Sequence, residues 1–252
     1  MGEQGTAVVI EDDEDVRNLL SAVLQQSGFE VHSGATGREG VLAVRGNSPT
    51  VVTLDVGLPD IDGFEVLRRI RAFSDCYVIM LTARADELDT LMALQSGADD
   101  FLTKPFRPRE LRARVAAMLR RPREAGGPAG ASPEAGAVPQ QPVLRHNGLV
   151  LHQETRTAKL FDAEISLTRS EFDLLHDLMR SGGSVRTKAD LVRVVRGEQY
   201  RDAAYVSDVD ERAVEVHIGN LRKKLREDPR QPAWLVTVRG VGYRLAPERV
   251  QT

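Results

Sequence analysis

The sequence predicts an α/β front half, a five-stranded parallel sheet wound on both faces, followed by a smaller α+β unit. Three observations carry this. Strand-like and helix-like patterns alternate five times between residues 6 and 121. Residues 122–142 lose all apolar period, and beyond them short alternating segments flank helical ones. Thr6–Ile10 is a short apolar run, a buried strand. Val16, Leu19, Leu20, Val23 and Leu24 recur at helical spacing up to Gln26, and Gly28 stops that helix. Glu30–Ser33 is a second strand, and Thr36 caps a helix running to Arg45. Thr50–Leu54 is a third strand, and Gly63–Phe73 a helix with Phe64, Leu67 and Ile70 on one face. Tyr77–Leu81, Glu87–Gln95, Phe101–Thr103 and Pro108–Arg120 follow as strand, helix, strand and helix, the last with proline in its first turn. Strands joined through helices run parallel, and ligands of such sheets bind beyond the strands' carboxyl ends.

The chain has 252 residues, 28% charged and 41% hydrophobic, enough for two domains with separate cores. No apolar run approaches the roughly 20 residues of a bilayer span. Met1–Gly5 has neither the basic nor the apolar stretch of a signal peptide. A single cysteine, Cys76, excludes an intrachain disulfide framework and a Cys-based zinc cluster. The expected location is the cytoplasm. Residues 1–121 carry 14 Lys+Arg against 19 Asp+Glu, residues 122–142 carry 1 against 2, and residues 143–252 carry 19 against 16. An acidic front and a mildly basic back suggest two tasks. Pro122–Pro142, rich in Pro, Gly and Ala, reads as a flexible linker. As a random coil its ends lie about 25 Å apart. The expected division is therefore 1–121, a linker over 122–142, and 143–252.

Strand ends of the front half converge on one edge with Glu11, Asp12 and Asp13 from the first, Asp55 from the third, Thr82 from the fourth and Lys104, followed by Pro105, from the fifth. Clustered carboxylates need a cation, and hard oxygen ligands suit Mg²⁺. With Lys104, such a site could hold a phosphoryl group against Asp55, a competent carboxylate nucleophile. Taken singly the parts have plainer uses. Glu11–Asp13 can cap the following helix, and a lone Asp or Lys–Pro can be a loop residue.

Residues 6–121 resemble the receiver domain of bacterial two-component response regulators, through VVIEDDE, TLDVGLPDIDGFEVL, VIMLTAR and GADDFLTKPF. The resemblance implies the flavodoxin-like receiver fold and phosphorylation by a histidine kinase. By position it makes Asp55 the phosphoacceptor, and Asp12, Asp55 and the carbonyl of Gly57 the metal ligands, with Glu11 assisting through water. Thr82 becomes the switch hydroxyl and Lys104 the phosphoryl-contacting lysine, its bond to Pro105 cis as in the family. Gly57 stands where many relatives carry a larger side chain, which opens the pocket to water. Phe101 stands where the subfamily has Tyr; it is either a switch residue packing inward as Thr82 moves or a plain core residue.

In the second half Leu149–His152, Ala158–Phe161 and Ile165–Leu167 read as a small antiparallel sheet. Thr168 with Glu171 forms a capping box for a helix through Met179, and Gly182–Gly183 end it. Thr187 caps a second helix through Val195. A third, Glu211–Arg226, buries Val214, Ile218, Leu221 and Leu225 and turns Arg212, Val216, Gly219, Lys223 and Arg226 outward, with Arg222 at the border. That basic face suits a major groove, and is also what any solvated helix shows. His217 is open to two readings, a satisfied core histidine or a phosphate contact. Leu235–Leu245, LVTVRGVGYRL, reads as a hairpin with Arg239 near its tip, placed for a minor groove. Helix–turn–helix plus hairpin is a winged helix.

Residues 143–246 resemble the OmpR/PhoB-type effector domain through SLTRSEFDLL, RAVEVHIGNLRKKL and LVTVRGVGYRL. The resemblance implies binding of double-stranded promoter DNA. By position Arg212, Val216, His217, Asn220 and Arg222 are recognition-helix contacts, joined by Lys223, and Thr237 and Arg239 are wing contacts. Gly219 stands where some relatives are basic, and Arg196 replaces the Trp of a V-W-G segment. The stretch from Arg196 to Asp210 is long for a loop that in relatives touches RNA polymerase. The subfamily also dimerises on phosphorylation across the Glu87–Gln95, Phe101–Thr103 and Pro108–Arg120 face. There Asp100, Glu110 and Arg114 are retained, while Thr90, Gln95 and Ala116 replace other members of three inter-subunit ion pairs. Two other classes are weighed. A Mg²⁺-dependent phosphohydrolase would want a second carboxylate two residues past Asp55, where Gly57 stands. A regulator that binds DNA unphosphorylated would use the front half for contacts alone.

Overall fold

The computed structural model describes residues 4–83, 92–119, 143–196, 206–228 and 230–249. Its first part is a five-stranded parallel sheet in the order β2-β1-β3-β4-β5, formed by Thr6–Ile10, Glu30–Gly34, Val51–Asp55, Tyr77–Thr82 and Asp100–Thr103. Every residue of β3 and β4 is buried, as expected of strands covered on both faces. One layer joins Val9, Ile79 and Leu81 to Leu20 and Leu24 of α1 (Glu14–Gln26) and Leu111 and Val115 of α4 (Pro108–Leu119). The other joins Ile10, Leu54 and Met80 to Val44 of α2 (Gly37–Asn47) and Val66, Leu67 and Ile70 of α3 (Gly63–Arg71). Residues 92–95 are helical. The remainder of the helix expected over Glu87–Gln95, with Thr90, lies outside the described residues. So do the linker and the 197–205 stretch of the long loop.

The second part opens with an antiparallel sheet of four strands: β6 Val143–His146, β7 Leu149–His152, β8 Thr157–Leu160 and β9 Ala163–Ile165. The sequence pattern does not announce β6, and β9 ends at Ile165, where the pattern predicts a strand over Ile165–Leu167. VLRH and AEI alternate too weakly to stand out, and their neighbours' backbones supply the pairing. Helices α5 (Arg169–Arg180), α6 (Lys188–Arg196) and α7 (Asp208–Leu225) follow. Thr168 and Glu171 make the expected capping box. A second box, Ser207 with Asp210, starts α7 three residues earlier than its apolar stripe suggests. The chain closes with a three-stranded sheet, β10 (Arg186–Thr187), β12 (Gly242–Leu245) and β11 (Leu235–Val238) in that order. Val214, Ile218, Leu221 and Leu225 pack with Phe172, Leu175, Trp234 and Leu245 in one core.

Candidate functional site

The acidic run after β1 divides its labour. Asp13 caps α1, its Oδ1 accepting from the Val16 amide at 3.0 Å. Glu11 turns inward to 0% exposure, and Asp12 stays at the surface. Carboxylate oxygens of Glu11, Asp12 and Asp55 lie within 4.8 Å of one another. Lys104 reaches across from the end of β5, with Nζ 2.7 Å from Glu11 Oε1 and 3.1 Å from Asp55 Oδ1. Three carboxylates thus meet one ammonium, and the buried Glu11 Oε2 has no hydrogen-bond partner. Burial pushes the Glu11 carboxyl above the usual range, with the Asp55 charge adding to it. Burial would pull the Lys104 ammonium down, but its bond to Glu11 and the charge of Asp55 outweigh that and raise it. The surplus of negative charge and the orphaned oxygen fit a small hard cation, and the all-oxygen donor set fits Mg²⁺.

The scaffold explains the convergence. Asp55 pairs with Leu81 across β3 and β4, so Thr82 stands one residue beyond it, buried, at the same edge. Lys104 donates its amide to the Thr82 carbonyl at 2.7 Å, and the Lys104–Pro105 bond is cis. Gly63 is required here, because a Cβ on it would collide with the Asp55 carbonyl oxygen. Gly57 differs: a Cβ there would sit 3.7 Å from Asp55 Oδ2, ordinary contact, so its absence leaves that flank of the carboxylate open. Asp60 fastens the loop by accepting from the Gly37 amide at 2.7 Å and the Arg38 amide at 3.1 Å.

On α7, Arg212 and Lys223 are exposed, as is Arg239 at the hairpin tip. Val216 is half-buried, and with Gly219, Asn220 and Lys223 it faces a cleft shared with Gln95. His217 is 1% exposed, its Nε2 has no hydrogen-bond partner, and burial holds its imidazole below the usual value, with Asp99 and Asp100 of the first half acting on it, so it is neither a satisfied core histidine nor open to a phosphate in this arrangement. Arg222 and Thr237 engage each other: Nη2 donates to Thr237 Oγ1 and to the Leu235 carbonyl, both at 2.8 Å. Its guanidinium also lies 5.8 Å from the centre of the Tyr243 ring. Arg222 thus ties helix to wing, beside Glu227, whose Oε1 accepts from the Trp234 and Leu235 amides at 2.6 and 3.0 Å.

Asn220 is buried for a different reason. Its Nδ2 donates to the Leu94 carbonyl of the first half at 3.0 Å. Leu94, Phe101 and Ala213 form a small apolar cluster with Val209 and Val216 against it. The Ser170 amide donates to Asp99 Oδ1 at 2.9 Å, and α4 packs on α6. Asp100 accepts from Arg114 at 2.7 Å and from Arg196 at 3.4 Å. The face expected to meet a second copy therefore meets this chain's own second half. Arg196, Ser170 and Leu94 were not singled out as contacts in the sequence. Arg196 alone left a signal, as a charge where the resemblance expects an indole.

Residues 7–116 match the family model of the response regulator receiver domain, and residues 162–245 that of the transcriptional regulatory protein C-terminal domain. The chain is 37% identical over 240 residues to the sensory transduction protein RegX3 of Mycolicibacterium smegmatis, covering 95% of this chain and 98% of that one. A solved RitR mutant shares the fold at a TM-score of 0.71 and 23% identity, covering 96% of this chain and 99% of its own. The response regulator DrrB of Thermotoga maritima, an OmpR/PhoB homologue, is 30% identical with the same coverage at a TM-score of 0.48.

Proposed function

Because the chain belongs to the two-component response regulators that join a receiver to an OmpR/PhoB-type DNA-binding domain, we propose that Asp55 accepts a phosphoryl group from a sensor histidine kinase and thereby frees the second domain for promoter DNA. The working division is a receiver over 1–121, a linker over 122–142 and a winged helix over 143–252. The convergence of Lys104 on Glu11 and Asp55 carries this reading. An Asp55 oxygen attacks phosphorus, the P–N bond to the kinase histidine breaks, and the imidazole leaves with the electron pair. Asp12, Asp55 and the Gly57 carbonyl would hold Mg²⁺, with Glu11 assisting. When bound, the ion neutralises phosphoryl charge. Lys104 holds a second phosphoryl oxygen and Thr82 a third. The Thr82 displacement vacates space that the Phe101 side chain follows into.

Arg212, Val216, Asn220 and Lys223 then read a major groove, Arg239 enters the adjacent minor groove, and Arg222 and Thr237 brace the two. Receiver faces bearing Asp100, Glu110 and Arg114 pair two copies, and the tethers raise the effective concentration of the second winged helix at its half-site. Intact mass after incubation with Mg²⁺ and acetyl phosphate tests the acceptor. The parent gains one phosphoryl group and Asp55→Ala gains none; persistent labelling of the variant would remove Asp55 from its role.

A further inference from the structure

We propose that Arg196 is a latch between the two domains, holding the unphosphorylated chain closed so that neither the receiver face nor the Val216 and Asn220 side of the recognition helix is available. Charges alternate through the interface. Glu110 pairs with Arg114 at 2.8 Å, Arg114 with Asp100 at 2.7 Å, Asp100 with Arg196 at 3.4 Å, and Arg196 with Asp210 at 2.8 Å. The side chains of Asp100, Arg114, Arg196 and Asp210 are each 8% exposed or less. The Arg114 and Arg196 guanidiniums lie 5.9 and 5.5 Å from the centre of the Phe101 ring. Asp210 belongs to the capping box of α7. Arg196 thus connects the edge strand of the receiver, the candidate switch aromatic and the first turn of the recognition helix.

The pairing has a property suited to a reversible device. A broken buried ion pair normally strands a charge, at a cost of several kcal/mol. Here Asp100 keeps Arg114 when the halves part, and Arg196 keeps Asp210. Neither Asp100 nor Arg196 is left without a partner of opposite charge, so the interface can open without stranding either one. Lysine would not serve as well, because one ammonium lacks the planar fork that reaches two carboxylates on different sides. Since Asp100 and Arg114 are also the residues assigned to the dimer, closure and dimerisation compete for the same groups. That competition rests on the proposed dimer; the latch itself does not.

Small-angle scattering of the full unphosphorylated chain tests the latch without DNA or phosphoryl groups. Arg196→Met keeps the length of the stem and removes the fork. Leu94→Lys leaves the second domain untouched and places a charge in the apolar cluster at the interface. Both are expected to lengthen the maximum dimension by on the order of 20 Å, a separation the linker allows. Arg196→Lys is expected to fall between. Unchanged scattering in both variants overturns the closed state, and expansion in Leu94→Lys alone removes Arg196 as its latch. Labelling of Asp55 is read separately, so failure of either proposal leaves the other legible.

Discussion

Lys104 is the only ammonium within reach of both Glu11 and Asp55 among the described residues. Replacing it with methionine leaves a buried carboxylate facing two others. The expected loss is about 2 kcal/mol of stability, less than for a fully buried pair because the amine is partly solvated. Thermal melts should show Mg²⁺ restoring more of the variant's stability than of the parent's, since the ion then supplies the missing cation. His217 sets a second test. Burial lowers its folded pKa below the ordinary 6.5. As pH falls below that value the unfolded chain takes up a proton that the folded chain refuses, so stability present above it is lost. The melting temperature should fall as the pH drops through the ordinary histidine range and below it. His217→Gln should flatten the slope, leaving the contribution of His176, which burial lowers likewise. Residue identities at the acidic pocket were legible because four strand ends deliver them in order. Which of three adjacent acids would cap and which would turn inward was not, since Asp12 and Asp13 are chemically identical and only the register of α1 separates them.

Gly63 joins β3 to α3 where the helix crowds the Asp55 carbonyl. Gly63→Ala should lower stability by about 2 kcal/mol, a typical cost of overpacking. It should also slow labelling of Asp55 by acetyl phosphate, while Gly46→Ala, in an open part of α2, should do neither. The inner strands β1, β3 and β4 could be read from sequence because burial on both faces leaves largely apolar runs. The helices could be read because their inner faces keep a 3.6-residue period. β6 and β9 escaped because their burial is partial and their pairing comes from β7 and β8. The start of α7 escaped for a related reason. Its first turn is acidic and set by Ser207 and Asp210, with no apolar repeat to announce it.

Closure makes one outcome of phosphorylation measurable in solution. With the receiver face covered by α6 and α7, the untreated chain should be a monomer by light scattering, and beryllofluoride with Mg²⁺ should shift it toward a dimer. A monomer mass after such treatment would count against phosphorylation-driven pairing. None of this interface was visible in the order of amino acids. Its partners lie as far as 126 residues apart, as Asn220 and Leu94 do, and no local period marks them. Arg196 announced itself only as a misfit. Arg222 has a consequence of a different kind. Its guanidinium ties the α7 helix to β11 through Leu235 and Thr237, so helix and hairpin are braced like the arms of a caliper. In the proposed mode of DNA contact, such a gauge would measure a fixed interval along a duplex. One inserted base pair between the points it touches would rotate them apart by roughly 35°. A half-site lengthened in this way should lose binding even with every contacted base retained, and Arg222→Ala should blunt that sensitivity to spacing.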